Sequence, residues 1–426
     1  MIQIGVRCVI AAGWAVEDKP AELFATTFYD TLLGGGRFID AVAAARSAAW
    51  RGGDGGNTWS AYQCYGDPGW TWHRQVGDGQ RAAPMLGDEF AGVSSPPALT
   101  LALETISIRL RFGGDAASAQ RSVEQTQRDK IRFLEAKFAP LWGAMGAVAE
   151  AFGLAFADAR DVDKAVEWYR VAVQAEDGSA SFKAAEELGN QLARRGERLE
   201  DAAAARRDID EGIARLQKLV DIQPTVEREA LLGSAYKRLV MVEGRAAAAQ
   251  APAARGRKRA PAGAAGHGGE RLAALRAMAL HYGNAERLAR EANAANLFYP
   301  AKNGISAELR LAFLERRPAD LAVERMRAVQ ESLARAASER PDFWSVVGLI
   351  ELRVLAAVAA QRLGVDAGGL ITDFRDLKAR VPARTMWDSV HSEARFTLEP
   401  YQGMAGATER RAAQALLDAL AEMAAS

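Results

Sequence analysis

A thiolate beside an imidazole is the chemistry that the rarest residue types of this chain could support. Cys8 and Cys64 are its two cysteines, and His73 follows Cys64 by nine positions. A cysteine nucleophile needs a neighbouring base or cation, because a free thiol stays mostly protonated at neutral pH. Both cysteines lie among apolar neighbours, where the residue serves as a small hydrophobe. A Cys64–His73 dyad is the sharper alternative. The surroundings favour two packed cysteines and a histidine near a surface turn, and no catalytic residue is assigned. Two cysteines are also too few for a disulfide framework or a thiolate zinc site, so neither metal nor cofactor is expected, and their scarcity fits a reducing cytoplasm.

The elements that would have to position these residues read as an incomplete α/β unit. Residues 2–12 are apolar and rich in Ile and Val, which suits a strand buried on both faces of a parallel sheet, ended by Gly13. A helix is expected from Pro20 to Leu33 with Leu23, Phe24, Thr27, Phe28 and Leu32 inward, stopped by glycines 34–36. A second helix over Phe38–Trp50 turns Val42 and Ala45 inward, and a Gly- and Asp-rich loop leads to a strand over Trp59–Tyr65.

Four segments in this stretch, GVRCVIAAGWAVED (5–18), FYDTLL (28–33), FIDAVAAAR (38–46) and TWSAYQCYGDP (58–68), resemble in order the end of a CHAT domain. That family is caspase-like and is associated with tetratricopeptide repeats. The resemblance implies the C-terminal part of an α/β/α sandwich. The family's catalytic Cys and His precede the segment that begins this chain, so neither maps onto a residue present. In similar proteases the loop after this strand helps to line the substrate pocket, which makes Trp14 and Asp18 pocket candidates by resemblance. An indole wall beside a carboxylate would suit a basic side chain, through cation–π attraction and ion pairing. The alternative is a packed Trp14 and a helix cap at Asp18. A lone pair of strands with two helices leaves sheet edges uncovered and buries little apolar surface, so this fragment is expected to be poorly stable alone.

From His73 to Ser95 the chain turns to Gly, Asp, Gln and Pro and reads as a connector. Helices follow over Leu99–Arg111 and Ser118–Phe138, with a strand over 101–110 as the competing reading because apolar residues alternate there.

Val148–Asp177 then reads as a complete helical hairpin of the tetratricopeptide kind. Gly153 and Ala165 are small where two helices must cross closely, and Phe156 and Tyr169 fill the space beside them. Ala172 admits the next hairpin, Asp161 or Asp163 can cap the second helix, and Gly178 offers a left-handed stop. A single hairpin cannot bury its apolar stripe, so neighbours are expected. They recur: Gly189 lies 36 residues after Gly153 and Gly233 lies 44 after that, against a period of about 34. An Ala- and Arg-rich stretch near 200–210 lengthens the second unit, and Tyr236 completes the third first helix. Residues 245–269 interrupt the pattern with low complexity and are expected to form a floppy loop. Periodicity returns at Glu270–Leu297 and again after Pro300 and Pro318. Trp344, Val347 and Gly348 match the first-helix spacing, while Glu351 stands where an aromatic is usual. Amphipathic helices over Met386–Tyr401 and Glu409–Met423 close the chain.

The domains are therefore a truncated CHAT-like α/β fragment at 1–75, a connector with helices at 76–138, and a mostly α-helical, tetratricopeptide-like solenoid at 139–426. In such an array the first helices line a groove that accepts extended peptides or partner helices. Counting from the motif glycines, Lys183, Asn190 and Arg194 of one repeat and Lys237 and Arg238 of the next should face it. They would form a locally basic patch suited to an acidic peptide or carboxylate, with Asn190 bonding backbone. A solvated helix face is the alternative.

Lys+Arg and Asp+Glu both number 54, so no global field recommends nucleic acid or an anionic membrane. The basic cluster at 255–259 most simply adds solubility. The apolar stretch Cys8–Val16 is about half the length that a membrane span needs, and no export signal is read. Two functions follow: a non-catalytic interaction protein working through its repeats, or the C-terminal part of a cysteine endopeptidase whose catalytic half is encoded upstream. Similar proteins in bacteria answer a partner by activating proteolysis.

Overall fold

The computed structural model describes residues 8–425, apart from 53–55, 73–85, 113–116, 251–261, 293, 295–296, 319–320, 340–341 and 382–383. Contacts divide the chain into two units, Met1–Gly92 and Val93–Ser426.

In the first unit β1 (Cys8–Ala12) is followed by α1 (Asp18–Leu33), α2 (Phe38–Gly52), the single turn α3 (Thr58–Ala61), β2 (Tyr62–Gly66) and a second single turn α4 (Leu86–Glu89). The expected helices are present because each carries an apolar stripe at helical spacing. Phe24, Phe28 and Leu32 of α1 meet Phe38, Ala41, Val42, Ala45 and Ala49 at α2. The triple glycine ends α1 as expected, with Gly35 at φ 90°, a conformation costly for any residue with a Cβ.

The sheet corrects the sequence reading. β1 pairs with β2 antiparallel, with Ile10 opposite Cys64 and Cys8 opposite Gly66. Among the described residues one face of this ribbon is covered: Cys8, Ile10, Tyr62 and Cys64 pack on the helices, whereas Tyr65 is exposed. A short apolar run fixes neither the direction of its partner strand nor the number of faces covered, and here one layer of helices covers one face.

The second unit is a succession of helical hairpins: α5 (Pro96–Phe112) with α6 (Ala117–Trp142), α7 (Gly146–Asp158) with α8 (Val162–Gln174), and α9 (Phe182–Arg198) with α10 (Ala202–Ile222). The next are α11 (Val226–Gln250) with α12 (Ala262–Glu291), α13 (Phe298–Leu314) with α14 (Val323–Glu339), α15 (Phe343–Ala359) with α16 (Leu363–Arg380), and α17 (Arg384–Gln402) with α18 (Ala407–Ala425). Residues 101–110 are helical, within α5. The low-complexity stretch is helical on both flanks, since α11 reaches Gln250 and α12 begins at Ala262; the basic cluster at 255–259 lies outside the described residues. Alanine in those flanks is the strongest helix former, so the described parts of 245–269 extend helices rather than form a loop.

The small residues act where the spacing puts them. A Cβ on Gly153 would lie 2.8 Å from the ring of Tyr169, one on Gly189 2.6 Å from Leu216, and one on Gly233 2.7 Å from Tyr282. Each glycine lets the following helix cross closely over a large buried side chain. Gly348 differs, because its close neighbour is Leu333 of the preceding helix. Asp161 caps α8 through the Lys164 amide at 3.3 Å, and Gly178 is left-handed at φ 66°.

Three hairpins also end their first helix identically. Arg160, Arg316 and Gln361 adopt positive φ, and the next amide in each case reaches back to a carbonyl in the last turn: Asp161 to Phe156, Arg317 to Ala312 and Arg362 to Ala357. This terminator uses carbonyls that would otherwise lack partners. Apolar clusters run from helix to helix, one from α13 to α18 around Phe374, Trp387 and Leu420, another around Leu275, Met278 and Tyr282.

Candidate functional site

Cys64 sits in the middle of β2 and Cys8 at the start of β1, both half-buried on the face turned to the helices. Burial pushes both thiols above their ordinary value. At Cys64 the Arg46 guanidinium opposes this only in part, and Cys8 adds to it. Cys64 Sγ donates weakly to the Tyr62 carbonyl at 3.7 Å, a contact that does not generate a thiolate. His73 lies outside the described residues.

Trp14 falls in the loop from β1 to α1 and Asp18 is the first residue of α1, and both are exposed. The loop is tied to the segment before β2: Gly13 N–H donates to the Ala61 carbonyl at 2.8 Å, Trp14 Nε1 to Asn57 Oδ1 at 3.2 Å, and Glu17 N–H to Thr58 Oγ1 at 3.1 Å. Glu17, not Asp18, occupies the cap position of α1, and its side chain makes no capping bond, which corrects the alternative role weighed for Asp18. Trp14 is thus oriented by a polar anchor rather than packed. Only its aromatic type was legible in the sequence, since Asn57 lies 43 residues away.

The five residues expected along the repeat groove lie on α9 and α11, which pack on one another. Their partners change the expected electrostatics. Lys183 reaches Glu187 at 3.2 Å, Glu227 at 3.5 Å and Glu186 at 3.6 Å. Lys237 pairs with Glu393 of α17 and lies over the Phe396 ring, 5.0 Å from its centroid. Arg238 Nε is 3.1 Å from Glu197, and its terminal nitrogen donates to the Ser234 carbonyl at 3.0 Å. Four carboxylates in reach of Lys183 and Arg238, with a fifth on Lys237, remove the local excess of positive charge that the sequence suggested. The α9–α11 seam is ion-paired, not a basic patch.

Arg194 is the exception. Its Nε donates to Asn190 Oδ1 at 3.3 Å, while Asn190 Nδ2 donates to Glu187 at 3.1 Å. Arg194 has no carboxylate of its own among the described residues and is exposed. Its pKa is nevertheless drawn down, first by desolvation and then by the Arg238 guanidinium, with Glu187 and Tyr299 opposing. Arg194 is thus exposed at the surface and at the same time flanked by protein that desolvates its charge.

Beneath the seam lies a charge network that the sequence did not disclose. Lys302 of α13 pairs with Glu351 of α15. Burial works against the charge on Glu393, but Lys237 and Lys302 outweigh it and hold the carboxyl below its usual range. Arg228 and Glu186, both nearly buried, meet at 2.8 Å and lock α11 to α9. These pairs link residues up to 156 positions apart. The one local signal was Glu351, the carboxylate standing in an aromatic's place.

Among the described residues no group of three or more His, Cys, Asp or Glu is placed to hold a metal ion, and no helix is long and apolar enough to cross a membrane. Residues 1–67 match the family model described as the CHAT domain. No curated protein matches the chain.

Proposed function

We propose that this chain is a CHAT-type protein that acts through tetratricopeptide-like helical hairpins as a protein-interaction or regulatory module in the cytoplasm. Its ligand is an acidic peptide or carboxylate received along α9 and α11. The observation that carries this reading is Arg194: an exposed guanidinium, oriented by Asn190 and without a carboxylate of its own among the described residues, on a seam where the neighbouring cations are paired. A partner carboxylate would complete its fork and relieve the Arg194–Arg238 repulsion. Support for the hairpin class comes from the glycine crossings at 153, 189 and 233. The raised thiols of Cys8 and Cys64 support a non-catalytic role for the β-ribbon.

The test is Arg194→Glu, alone and with Asn190→Ala, in capture of a defined protein partner or an acidic peptide. Loss of capture with unchanged thermal unfolding supports the reading, and undiminished capture refutes it. Lys237→Glu is a poor probe, because it would set a second carboxylate beside Glu393 in a half-buried position.

The CHAT match favours a second reading, in which the chain is the C-terminal portion of a cysteine endopeptidase, with Trp14 and Asp18 beside the pocket for a basic substrate side chain. Cleavage of an Arg- or Lys-containing fluorogenic peptide that disappears on Trp14→Ala, in a polypeptide carrying the full CHAT domain, supports it. Cleavage indifferent to Trp14 and Asp18 refutes the pocket assignment.

A further inference from the structure

A polar cleft of about 480 Å³ opens where three hairpins of the second unit meet. Its walls are the middle of α6, the α7–α8 hinge with the first turn of α8, and the last turn of α9. Arginines come from each wall: Arg128 and Arg132, then Arg160, then Arg195 and Arg198.

Their partners decide what is left over. Arg195 is held in a two-pronged pair with Asp208 at 2.6 and 2.9 Å. Arg128 gives Nε to the Ala159 carbonyl at 3.0 Å, keeping its other nitrogens for a ligand. Arg132, Arg160 and Arg198 are exposed, and their side chains make no hydrogen bond or ion pair among the described residues. Asp161 and Asp163 also line the cleft, and Asp161 is committed to capping α8. Five guanidiniums against Asp161, Asp163 and Asp208 leave an excess of two positive charges around one small space.

We propose that this cleft binds a small molecule bearing a diphosphate, held by Arg128, Arg132, Arg160 and Arg198. Guanidiniums suit phosphate because their planar forks donate in pairs to two oxygens of one group. The volume falls in the usual range for small-ligand sites, about 300–1,000 Å³. A nucleic acid would need a basic stripe that continues, whereas Asp161 and Asp163 close this site on one side. Half-buried Leu199 adds an apolar edge suited to a base or another non-polar substituent. Arg160 occupies the left-handed position that ends α7, so the hairpin terminator sets the direction in which its side chain leaves the backbone.

The experiment is isothermal titration of the full chain with inorganic pyrophosphate and, separately, with ADP. Binding is expected for both and should weaken as salt is raised, because each phosphate contact displaces counterions. Arg132→Gln with Arg198→Gln should weaken it at least tenfold. Asp163→Asn, which removes the carboxylate left uncommitted among the described lining residues, should tighten it severalfold, and this gain does not depend on the double variant folding. Tighter binding of ADP than of pyrophosphate assigns a nucleotide, and equal binding assigns the diphosphate alone. Absence of binding at physiological ionic strength, or affinity indifferent to both the arginine and the Asp163 changes, overturns the proposal. So does binding of a polyglutamate peptide with neither phosphate compound bound.

Discussion

Gly233→Ala should destabilise the α11–α12 hairpin, although alanine is the better helix former. The added methyl would sit 2.7 Å from Cδ2 of Tyr282 and 2.9 Å from two further ring carbons. Tyr282 is 1% exposed, so its ring has no solvent side to yield into. Forcing bulk into such a site costs about 1–3 kcal/mol. The gain in helix propensity is about 0.5–1 kcal/mol. The balance is a loss of up to about 2.5 kcal/mol, and about 1.2 kcal/mol at the middle of both ranges. Gly283, on α12 of the same hairpin, meets nothing within 4 Å, so Gly283→Ala should keep the propensity gain and stabilise. Hydrogen exchange of α11 and α12 peptides by mass spectrometry reads both effects locally, which suits an array whose unfolding need not be two-state. Exchange should quicken by about sevenfold, and by up to about sixtyfold, for Gly233→Ala, at tenfold per 1.4 kcal/mol. It should slow for Gly283→Ala. Replacing Tyr282 by leucine should shrink the cost of Gly233→Ala, giving a non-additive cycle. The close-crossing argument fails if Gly233→Ala slows exchange as Gly283→Ala does.

Three further outcomes are expected. Arg228→Met strands the nearly buried Glu186 and should cost about 3 kcal/mol in urea unfolding, the low end for a broken buried pair because Lys183 lies 3.6 Å from the same carboxylate; adding Glu186→Gln should restore much of it. Asp161→Ala removes the α8 cap, and urea unfolding should show a loss of about 1 kcal/mol. Cys8 and Cys64 have raised pKa values in the folded state, so the ribbon's preference for the thiol form is complete below the ordinary thiol pKa and is lost as pH rises through the folded value. Iodoacetamide labelling should therefore have its midpoint above that of a free thiol, and the alkaline fall in thermal stability should flatten in the Cys8→Ala, Cys64→Ala variant.

What could be read along the chain was whatever depends on neighbours within one hairpin. The helices of the first unit, the glycine stop after Leu33, and the Gly153–Tyr169 crossing all lie within a few turns of sequence, where composition and period act directly. The Gly233–Tyr282 crossing is the same contact, but α11 and α12 have lengthened so far that its two residues are 49 positions apart and the period no longer finds them. Of the residues that match the repeat spacing at Trp344, Val347 and Gly348, Gly348 has Leu333 of the preceding helix as its close neighbour and Trp344 is exposed.

The sequence by itself determined that this protein would be helical hairpins behind a short CHAT-like segment, because apolar period, small residues and caps are local properties of a chain. Only the tertiary structure decided the direction of the two strands, which cations keep a free charge, and where arginines from three hairpins converge. Hydrogen-bond partners and ion pairs depend on distance in space. Lys237 cannot announce Glu393, nor Arg132 the end of α9, until the hairpins have stacked.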